Sequence, residues 1–399
     1  MTDAQLIRAE QPVPVTPAEE CATLRAAVAD GSASPRGRVR LATLLNQLDL
    51  FDETIALLGK EPPGTLGHRA LLCLAAAYGA RDQGADAILA LDAARAAHGR
   101  ATNDVERSAA LTAEASGLFR LGRGEAAREA LDAALRGDPH SREAWKLLSI
   151  HLLRAGEAQA VLAASDRLIA QGANHALIPA ARAAAQMQIG DAATARATLG
   201  LDRFLWQETI DAPAGWDNLA AFNEALATEL TAHPTLRYGR HGKASIESWR
   251  IDSLAVGGSP LAQVLLAHIA RTVGRRVADL AAIDHPWIAA RPSDLLMRSW
   301  CVITESSGYE QWHMHPFGWL SGVYYVQVPA GVRDGAGNDG CLTLGRPDAM
   351  IDPDTTDGEG DQLIRPTPGL LALFPSHTYH RTFAHRAAGH RICVAFDIG

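Results

Sequence analysis

Three histidines in the last part of the chain have the spacing of metal ligands. His313 and His315 lie one residue apart, just before an apolar run at Leu320–Val328. In an extended segment, side chains two positions apart point to the same face. His380 follows 67 positions after His313, which fits a ligand carried by a different strand. The three imidazoles therefore predict a metal ion held from one side, with open coordination positions opposite.

Short strand-like segments surround these histidines. An amphipathic helix, Pro260–Ala281, comes first and is expected to pack against the outside of a sheet. The apolar segments that follow are separated by Gly, Pro and Asp and are predicted strands: 295–303, 320–328, 341–344, 369–374 and 391–397. Many short strands around a buried polar cluster are typical of a double-sheet jelly roll of the cupin type.

The first half is predicted to be helical and repetitive. From Arg38 to Leu199 the chain is rich in Ala and Leu and has helical periodicity. Gly122, Gly156 and Gly190 recur every 34 residues, each between two helix-like segments. This pattern resembles the tetratricopeptide repeat (TPR), in which stacked helix pairs form an α-solenoid whose concave face often binds peptide. The alternative is that the repeats only rigidify or dimerise the protein.

The sequence predicts a multidomain α + β protein with four parts. Residues 1–35 form an irregular N-terminal segment, and 36–204 a TPR-like helical domain. Residues 205–235 form a linker with one helix, and 236–399 the jelly-roll domain. The linker is predicted from Pro and Gly in Asp211-Ala-Pro-Ala-Gly-Trp216, which would end a helix.

Composition limits the compartment and the partners. The 399 residues are 47% hydrophobic and 21% charged, with a formal net charge of −8, so nucleic acid is not an expected partner. Five scattered cysteines with no CxxC pair argue against a disulfide framework and a thiolate zinc site. No secretory signal and no run of 18 apolar residues are present, so we expect no membrane partner and a cytoplasmic location.

The motifs of the last 160 residues or so resemble the Fe(II)/2-oxoglutarate oxygenase family. They are His-x-His-Pro before Leu-Ser-Gly-Val-Tyr-Tyr-Val, then Phe-Pro-Ser-x-x-x-His, then Arg-Ile-x-Val-Ala-Phe-Asp. The resemblance implies a double-stranded β-helix, one Fe(II), and 2-oxoglutarate and dioxygen as co-substrates. It also implies hydroxylation of an unactivated carbon.

The resemblance assigns roles to single residues. His313 and His380 would bind iron, and Arg391, after ten intervening residues, would pair with the distal carboxylate of 2-oxoglutarate. His315 departs from the usual pattern, in which Asp or Glu stands two residues after the first His. We expect His315 to be the third ligand. The alternatives are a two-His site completed by water, with His315 holding 2-oxoglutarate or substrate, or a carboxylate from Glu310 or Asp339.

Further residues are expected at the co-substrate and at the mouth of the pocket. Tyr325 is in phase with Ser321, so both hydroxyls are candidates for a 2-oxoglutarate carboxylate. Cys393 stands where relatives often have a serine, and its thiol donates poorly. Substrate is expected to approach from loops that carry three further features of the sequence: Phe317, Trp319 and the acidic segment Asp348–Asp361.

The leading interpretation is an Fe(II)- and 2-oxoglutarate-dependent dioxygenase that hydroxylates a peptide or protein side chain docked with help of the TPR-like domain. Some prolyl hydroxylases combine similar parts, so this preference rests on analogy. The alternatives are an oxygenase acting on a small molecule, a cupin-type metal enzyme without 2-oxoglutarate, and a non-catalytic assembly module with a metal-binding jelly roll. A homodimer is also compatible with the repeats.

Overall fold

A computed structural model describes residues 7–61, 64–81, 84–352 and 360–399. The contacts within the chain divide it into two compact units. The first unit is Val15–Ala173, and the second combines residues 7–14 with Asn174–Gly399. No helix in the described part of the chain is both long and apolar enough to cross a membrane.

The first unit consists of consecutive helices. The described helices are α1 Pro17–Ala29, α2 Pro35–Gln47, α3 Phe51–Leu58, α4 His68–Ala80, α5 Gly84–His98, α6 Asp104–Arg120, α7 Gly124–Gly137, α8 Arg142–Arg154 and α9 Ala158–Ala170. Gly122 (φ 70°) follows α6 and Gly156 (φ 77°) follows α8, a backbone conformation that favours glycine. Gly117 on α6 lies so close to Leu91 on α5 that a Cβ there would come within 3.2 Å of the leucine Cβ. The small residues of the repeat thus serve turns and helix contacts.

The predicted irregular segment over 1–35 contains a strand and a helix within the described residues 7–35, and residues 1–6 lie outside the described residues. Helix α1 begins after Thr16, whose hydroxyl accepts a hydrogen bond from Glu19 N, while the Glu19 carboxylate accepts one from Thr16 N. This capping box with a proline at the first helical position is readable in Thr16-Pro17-Ala18-Glu19. Earlier in the chain, Ile7–Ala9 forms strand β1 of the second unit.

The second unit combines strands with helices. Its described helices are α10 Leu177–Gln188, α11 Ala192–Leu199, α12 Leu201–Phe204, α13 Leu219–Thr231, α14 Pro260–Asp279, α15 Pro286–Ala289 and α16 Ala330–Arg333. Its described strands are β2 Trp206–Thr209, β3 Arg237–Tyr238, β4 Ser245–Ile251, β5 Leu295–Glu310, β6 Leu320–Gln327, β7 Leu342–Leu344, β8 Gln362–Ile364, β9 Leu370–Pro375, β10 His380–Thr382 and β11 Arg391–Ile398.

Two sheets hold the candidate site. The larger sheet has the order β2-β9-β6-β11-β5-β4-β3, and β1 pairs parallel with the start of β5. The smaller sheet has the order β10-β7-β8 and is antiparallel. The central strand β11 pairs antiparallel with both β5 and β6. Its alternate residues therefore point to the two faces of the larger sheet.

One face of the larger sheet is apolar and covered by helices. Leu265, Ile269 and Val273 of α14 share a buried core with Val394 and Phe396 of β11. The prediction that the helix of residues 260–281 packs on the sheet is thereby confirmed. The opposite face is the inner face, where alternating positions of β11 carry Arg391, Cys393 and Asp397.

The boundary predicted near 205–235 differs from the division of the contacts. The supposed linker contains β2, which pairs with β9, and α13, whose Phe222 and Leu226 are fully buried in the core beside the sheet. Pro and Gly do interrupt the chain before Asn218, but Asn218 caps α13 and returns the chain to the same core. Helices α10 and α11 also belong to this unit, although Gly190 between them continues the 34-residue spacing.

Candidate metal centre

His313, His315 and His380 converge in the second unit. One potential ligand atom from each lies within 4.8 Å of the others. Their ring centroids are 5.2 Å apart for His313 and His315, 4.2 Å for His313 and His380, and 4.8 Å for His315 and His380. His313 and His380 also exchange backbone hydrogen bonds of 2.9 and 2.8 Å, which fix the two chain segments side by side. The site is thus formed by residues 67 positions apart in the chain.

Each imidazole is oriented by a hydrogen bond from its Nδ1 atom. His313 Nδ1 lies 2.8 Å from Gln311 O, and His380 Nδ1 lies 3.0 Å from Thr378 O. Carbonyl oxygens only accept, so these Nδ1 atoms carry the proton and leave Nε2 as the free ligand atom. His315 Nδ1 lies 2.6 Å from Asp397 Oδ1, the arrangement in which a carboxylate orients a metal-binding histidine.

Burial keeps the imidazoles of His313 and His380 neutral. It is the largest cause that lowers the pKa of His313 to about 3, with the nearby His315 as the next cause. Burial, followed by the charges of the two other histidines, also lowers the pKa of His380 well below its usual range. A neutral imidazole is the form that binds a metal ion. The chemistry of this donor set therefore fits a divalent transition metal.

The two carboxylates considered as alternative ligands lie differently. Among the described residues, the metal-binding cluster includes neither Glu310 nor Asp339. Glu310 is nevertheless close, with its Oε2 3.9 Å from His313 Nε2. Burial raises the pKa of Glu310, against the opposing effects of Arg250 and of a hydrogen bond from Ser245. Glu310 thus lies beside the centre rather than in the triad.

Arg391 is almost completely buried, with 2% of its surface exposed. Its Nη1 donates to Gly340 O at 2.9 Å and its Nη2 to Thr382 Oγ1 at 3.0 Å, both neutral acceptors. Its Nε is buried with no hydrogen-bond acceptor in the described structure. A buried guanidinium is costly unless an anion compensates its charge. The position therefore fits a bound carboxylate.

Other polar atoms near Arg391 are buried and unsatisfied. The Tyr325 hydroxyl lacks a hydrogen-bond partner, and Arg391 is near enough to oppose the rise of the Tyr325 pKa that burial causes. Thr304 lies opposite Arg391 in the register of β5 and β11, and its hydroxyl is also unsatisfied. Buried polar groups are normally paired. Arg391 Nε and the hydroxyls of Tyr325 and Thr304 are thus unpaired donors, and a diacid such as 2-oxoglutarate would supply their acceptors.

Ser321 and Cys393 have surroundings that differ from the expected co-substrate contacts. Ser321 Oγ lies 2.8 Å from His315 Nδ1 and donates to Asp397 Oδ1 at 2.7 Å, at the end of β6 remote from Tyr325. Its hydroxyl therefore helps to orient His315. Cys393 lies opposite Tyr325, and its thiol points to Val302 O at 3.7 Å. Burial raises its pKa to about 11, so it is a neutral thiol.

Three further histidines of the C-terminal region do not join the cluster. The Nε2 atom of His377 lies 3.1 Å from Thr198 O, and that of His385 lies 3.1 Å from Thr304 O. His390 is partly exposed and lies 3.2 Å from Glu305. All three meet backbone or surface partners, in agreement with a role outside the metal-binding set.

The two aromatic residues expected at the pocket mouth differ in exposure. Phe317 is 63% exposed, but Trp319 is buried and stacks on Trp287 with ring centroids 4.6 Å apart. Each indole N–H of this pair donates to the other residue's carbonyl, so Trp319 is a core residue and its predicted place in the mouth is wrong. Residues 353–359 of the acidic segment lie outside the described residues.

Sequence reasoning missed Asp397 and Thr382. Asp397 stands six residues after Arg391 on the same strand, so period-two alternation places both on the inner face. That signal was present in the sequence and could have identified Asp397. Nothing in the sequence indicates that Thr382 receives the Arg391 hydrogen bond, because a loop between Thr382 and Arg391 sets their approach.

One family model matches the segment of the chain that carries the site. Residues 298–397 match the family model described as "Putative 2OG-Fe(II) oxygenase". No curated protein matches the chain. One similar solved structure is an oxidoreductase of the 2OG-Fe(II) oxygenase family from Burkholderia pseudomallei, at 13% identity, with 55% of this chain and 90% of that chain covered and a TM-score of 0.33. The segment matched by the family model contains all three histidines, Arg391 and Asp397.

Proposed function

We propose that this protein is an Fe(II)- and 2-oxoglutarate-dependent dioxygenase that hydroxylates its substrate. The observation that carries the proposal is the buried Arg391, whose hydrogen bonds go to neutral acceptors and whose unsatisfied Nε has no acidic partner among the described residues. It belongs to the segment that matches the oxygenase family and carries the three histidines. In this interpretation the two sheets are the halves of a double-stranded β-helix.

Different residues would bind the iron and the co-substrate. His313, His315 and His380 would hold Fe(II) through Nε2, because the Nδ1 atoms already have hydrogen-bond partners. Arg391 would bind the distal carboxylate of 2-oxoglutarate, with the Tyr325 hydroxyl as a second donor. Three histidines in place of two histidines and a carboxylate leave one more positive charge on the centre. The buried Glu310 would partly offset that charge.

Iron, 2-oxoglutarate and dioxygen would supply the oxidation, in which 2-oxoglutarate becomes succinate and carbon dioxide and the substrate gains a hydroxyl group. The protein's contribution is to orient these groups and to exclude water. Phe374 helps to exclude water, because its ring packs edge-on against His380 with the ring centroids 4.8 Å apart. Val328 and Leu344 are buried in the same apolar cluster as Tyr325 and Phe374, so part of the surroundings of the site is apolar.

A thermal-shift and turnover experiment tests the proposal. Protein purified without oxygen and loaded with Mn(II) should be stabilised by N-oxalylglycine, a 2-oxoglutarate analogue. With Fe(II), 2-oxoglutarate and oxygen, it should release succinate. Arg391→Met should lose the stabilisation by N-oxalylglycine but keep Mn(II) binding. If the wild-type protein binds metal and neither responds to N-oxalylglycine nor releases succinate, the cupin-type enzyme without 2-oxoglutarate or the assembly module replaces this function.

We further propose that the substrate is a peptide or protein side chain and that the helical unit helps to bind it. The support is the 34-residue recurrence of Gly122, Gly156 and Gly190, all with positive φ after a helix, as expected for TPR-like helix pairs. A chain with residues 15–173 deleted should then lose turnover of a peptide substrate. It should keep stabilisation by N-oxalylglycine, provided that circular dichroism shows a folded product.

A further inference from the structure

Glu310, the last residue of β5, lies within reach of a metal ion bound to His313. Its Oε2 atom is 3.9 Å from Nε2 of His313, the atom that is free to bind a metal ion. Two atoms bound to one first-row metal ion can be up to about 4.2 Å apart, twice the usual bond length of about 2.1 Å. Among the described residues the metal-binding cluster does not include Glu310, so the structure shows its carboxylate in a position outside the ligand set.

The backbone of Glu310 is fixed, but one of its carboxylate oxygens is not paired. The Glu310 N–H group donates to Thr382 Oγ1 at 2.9 Å, and Thr382 lies on β10, two residues after His380. The side chain is 12% exposed, and its Oε1 atom is buried with no hydrogen-bond partner in the described structure. A buried carboxylate oxygen without a donor is unfavourable. A metal ion would compensate this carboxylate.

The position that Glu310 occupies in the structure is provided by β4. Ser245 pairs directly with Glu310 in the register of β4 and β5, and its hydroxyl hydrogen-bonds to the carboxylate. Arg250 Nη1 lies 3.4 Å from Ser245 Oγ. The Arg250 guanidinium lies 5.2 Å from the centroid of the Trp300 ring, and that ring lies edge-on to His315 at 5.1 Å. Ser245 and Arg250 thus support a carboxylate that is close to the metal centre but not bound to it.

The charge of the centre favours a carboxylate ligand before the co-substrate binds. The three histidines carry no negative charge, whereas two histidines and a carboxylate would carry one. Glu310 would supply this charge, and 2-oxoglutarate would bring a carboxylate of its own. An octahedral ion bound to the three histidines, to Glu310 and to both chelating oxygens of 2-oxoglutarate has no position left for dioxygen. Glu310 and the co-substrate should therefore alternate at the metal.

We propose that Glu310 binds the metal ion as a fourth ligand in the absence of 2-oxoglutarate and moves to Ser245 when the co-substrate binds. This rests on the proposed function and assigns a further residue to the same site. Glu310 and 2-oxoglutarate then compete, and release of Glu310 leaves a position for dioxygen.

Two variants should shift this competition in opposite directions. Glu310→Gln removes the anionic ligand, so Co(II) should bind about tenfold more weakly and N-oxalylglycine, added to the Co(II)-loaded protein, about tenfold more tightly. Ser245→Ala removes the partner of the released carboxylate, so Co(II) should bind more tightly and N-oxalylglycine more weakly. Damage to the fold alone would weaken the binding of both ligands in both variants. Competition titration and thermal shift measure the two affinities.

Visible absorption of the Co(II)-loaded protein separates ligation from an effect of charge alone, because the d–d bands respond to the atoms that bind the ion. Without N-oxalylglycine the bands of Glu310→Gln should differ from those of the wild type. With N-oxalylglycine the two spectra should coincide. The matched control is Glu305→Gln, which removes an exposed carboxylate of the same strand that lies 3.2 Å from His390. It should leave affinities and spectra unchanged, and circular dichroism verifies folding.

Identical Co(II) spectra of Glu310→Gln and the wild type without N-oxalylglycine would overturn the inference, even if the affinities differ. Weaker binding of N-oxalylglycine to Glu310→Gln would also overturn it, since a competing ligand has been removed. Failure of the proposed function has a different signature, namely a wild type that binds Co(II) and does not respond to N-oxalylglycine. The Co(II) spectra still decide in that case whether Glu310 is a ligand.

Discussion

Asp397 and His315 are joined by a hydrogen bond of 2.6 Å between Oδ1 and Nδ1, across 82 positions of the chain. The carboxylate sets the direction of the imidazole and makes its Nε2 atom a better metal ligand. Two residues after His313, where a carboxylate ligand is usual, the chain thus has His315. The Asp397 carboxylate orients this histidine through a hydrogen bond to its Nδ1 atom.

Removing the Asp397 carboxylate should weaken metal binding. In Asp397→Ala we expect Co(II) affinity to fall roughly tenfold to a hundredfold, because His315 loses the partner that orients it. Competition titration against a chelator measures the affinity. Asp294→Ala removes an exposed carboxylate that pairs with Arg8 and should leave Co(II) affinity unchanged. Wild-type affinity in Asp397→Ala would contradict the role of this residue.

Two neighbouring tyrosines should respond oppositely to the loss of the hydroxyl. In Tyr325→Phe the metal-free protein should be as stable as the wild type or more stable, because the buried hydroxyl has no partner. Its affinity for N-oxalylglycine should fall about tenfold. Tyr324→Phe should lose about 1 kcal/mol of stability with unchanged affinity, since it breaks the 2.7 Å hydrogen bond to Asn223. Chemical denaturation measures the stability, and thermal shift with N-oxalylglycine measures the affinity. An unchanged affinity in Tyr325→Phe would show that Tyr325 does not contact the co-substrate.

His377 should make the metal-free protein sensitive to acid. Burial lowers its pKa to about 4, against the hydrogen bond to Thr198 O. Between an unfolded value near 6.5 and this folded value, the unfolded chain binds a proton that the folded chain does not. Stability should therefore fall as the pH drops from about 6.5 to about 4, by at most roughly 3 kcal/mol from this group.

The measurement for His377 is urea unfolding with EDTA across this pH range. His377→Gln should flatten the profile relative to the wild type, whereas replacement of the partly exposed His390 by Gln should not. Profiles of equal slope in the wild type and His377→Gln would show that His377 is not the acid-sensitive group.

The cap of α1 gives a prediction for the helical unit. Thr16→Ala removes the hydroxyl that accepts from Glu19 N and should destabilise this unit by about 1 kcal/mol. Thr23→Ala, in the same helix, loses only a local hydrogen bond to Glu19 O and is the control. Urea unfolding followed by far-UV circular dichroism distinguishes the two, and equal effects would contradict the capping role.

Much of the site was predictable from periodicity. The alternation in β6 placed Tyr325 on the inner face and Tyr324 on the core face, and the structure places their hydroxyls accordingly. The same rule failed to reveal that Ser321 serves His315, because the partner of a hydroxyl depends on which strand lies beside it. Trp319 was misplaced for the same reason, since its stacking partner Trp287 comes from a distant helix.

The motifs of the sequence, through their resemblance to an oxygenase family, indicated the set of His313, His315, His380 and Arg391. The sequence alone determined the periodic features, namely the helices with their 34-residue glycine recurrence and the strand alternation. These follow from local rules, because side-chain direction depends on backbone period within a few residues. Only the tertiary structure decided which side chains support that set. The contact of Asp397 with His315 and that of Arg250 with Trp300 result from strand register. Register depends on contacts between residues far apart in the chain.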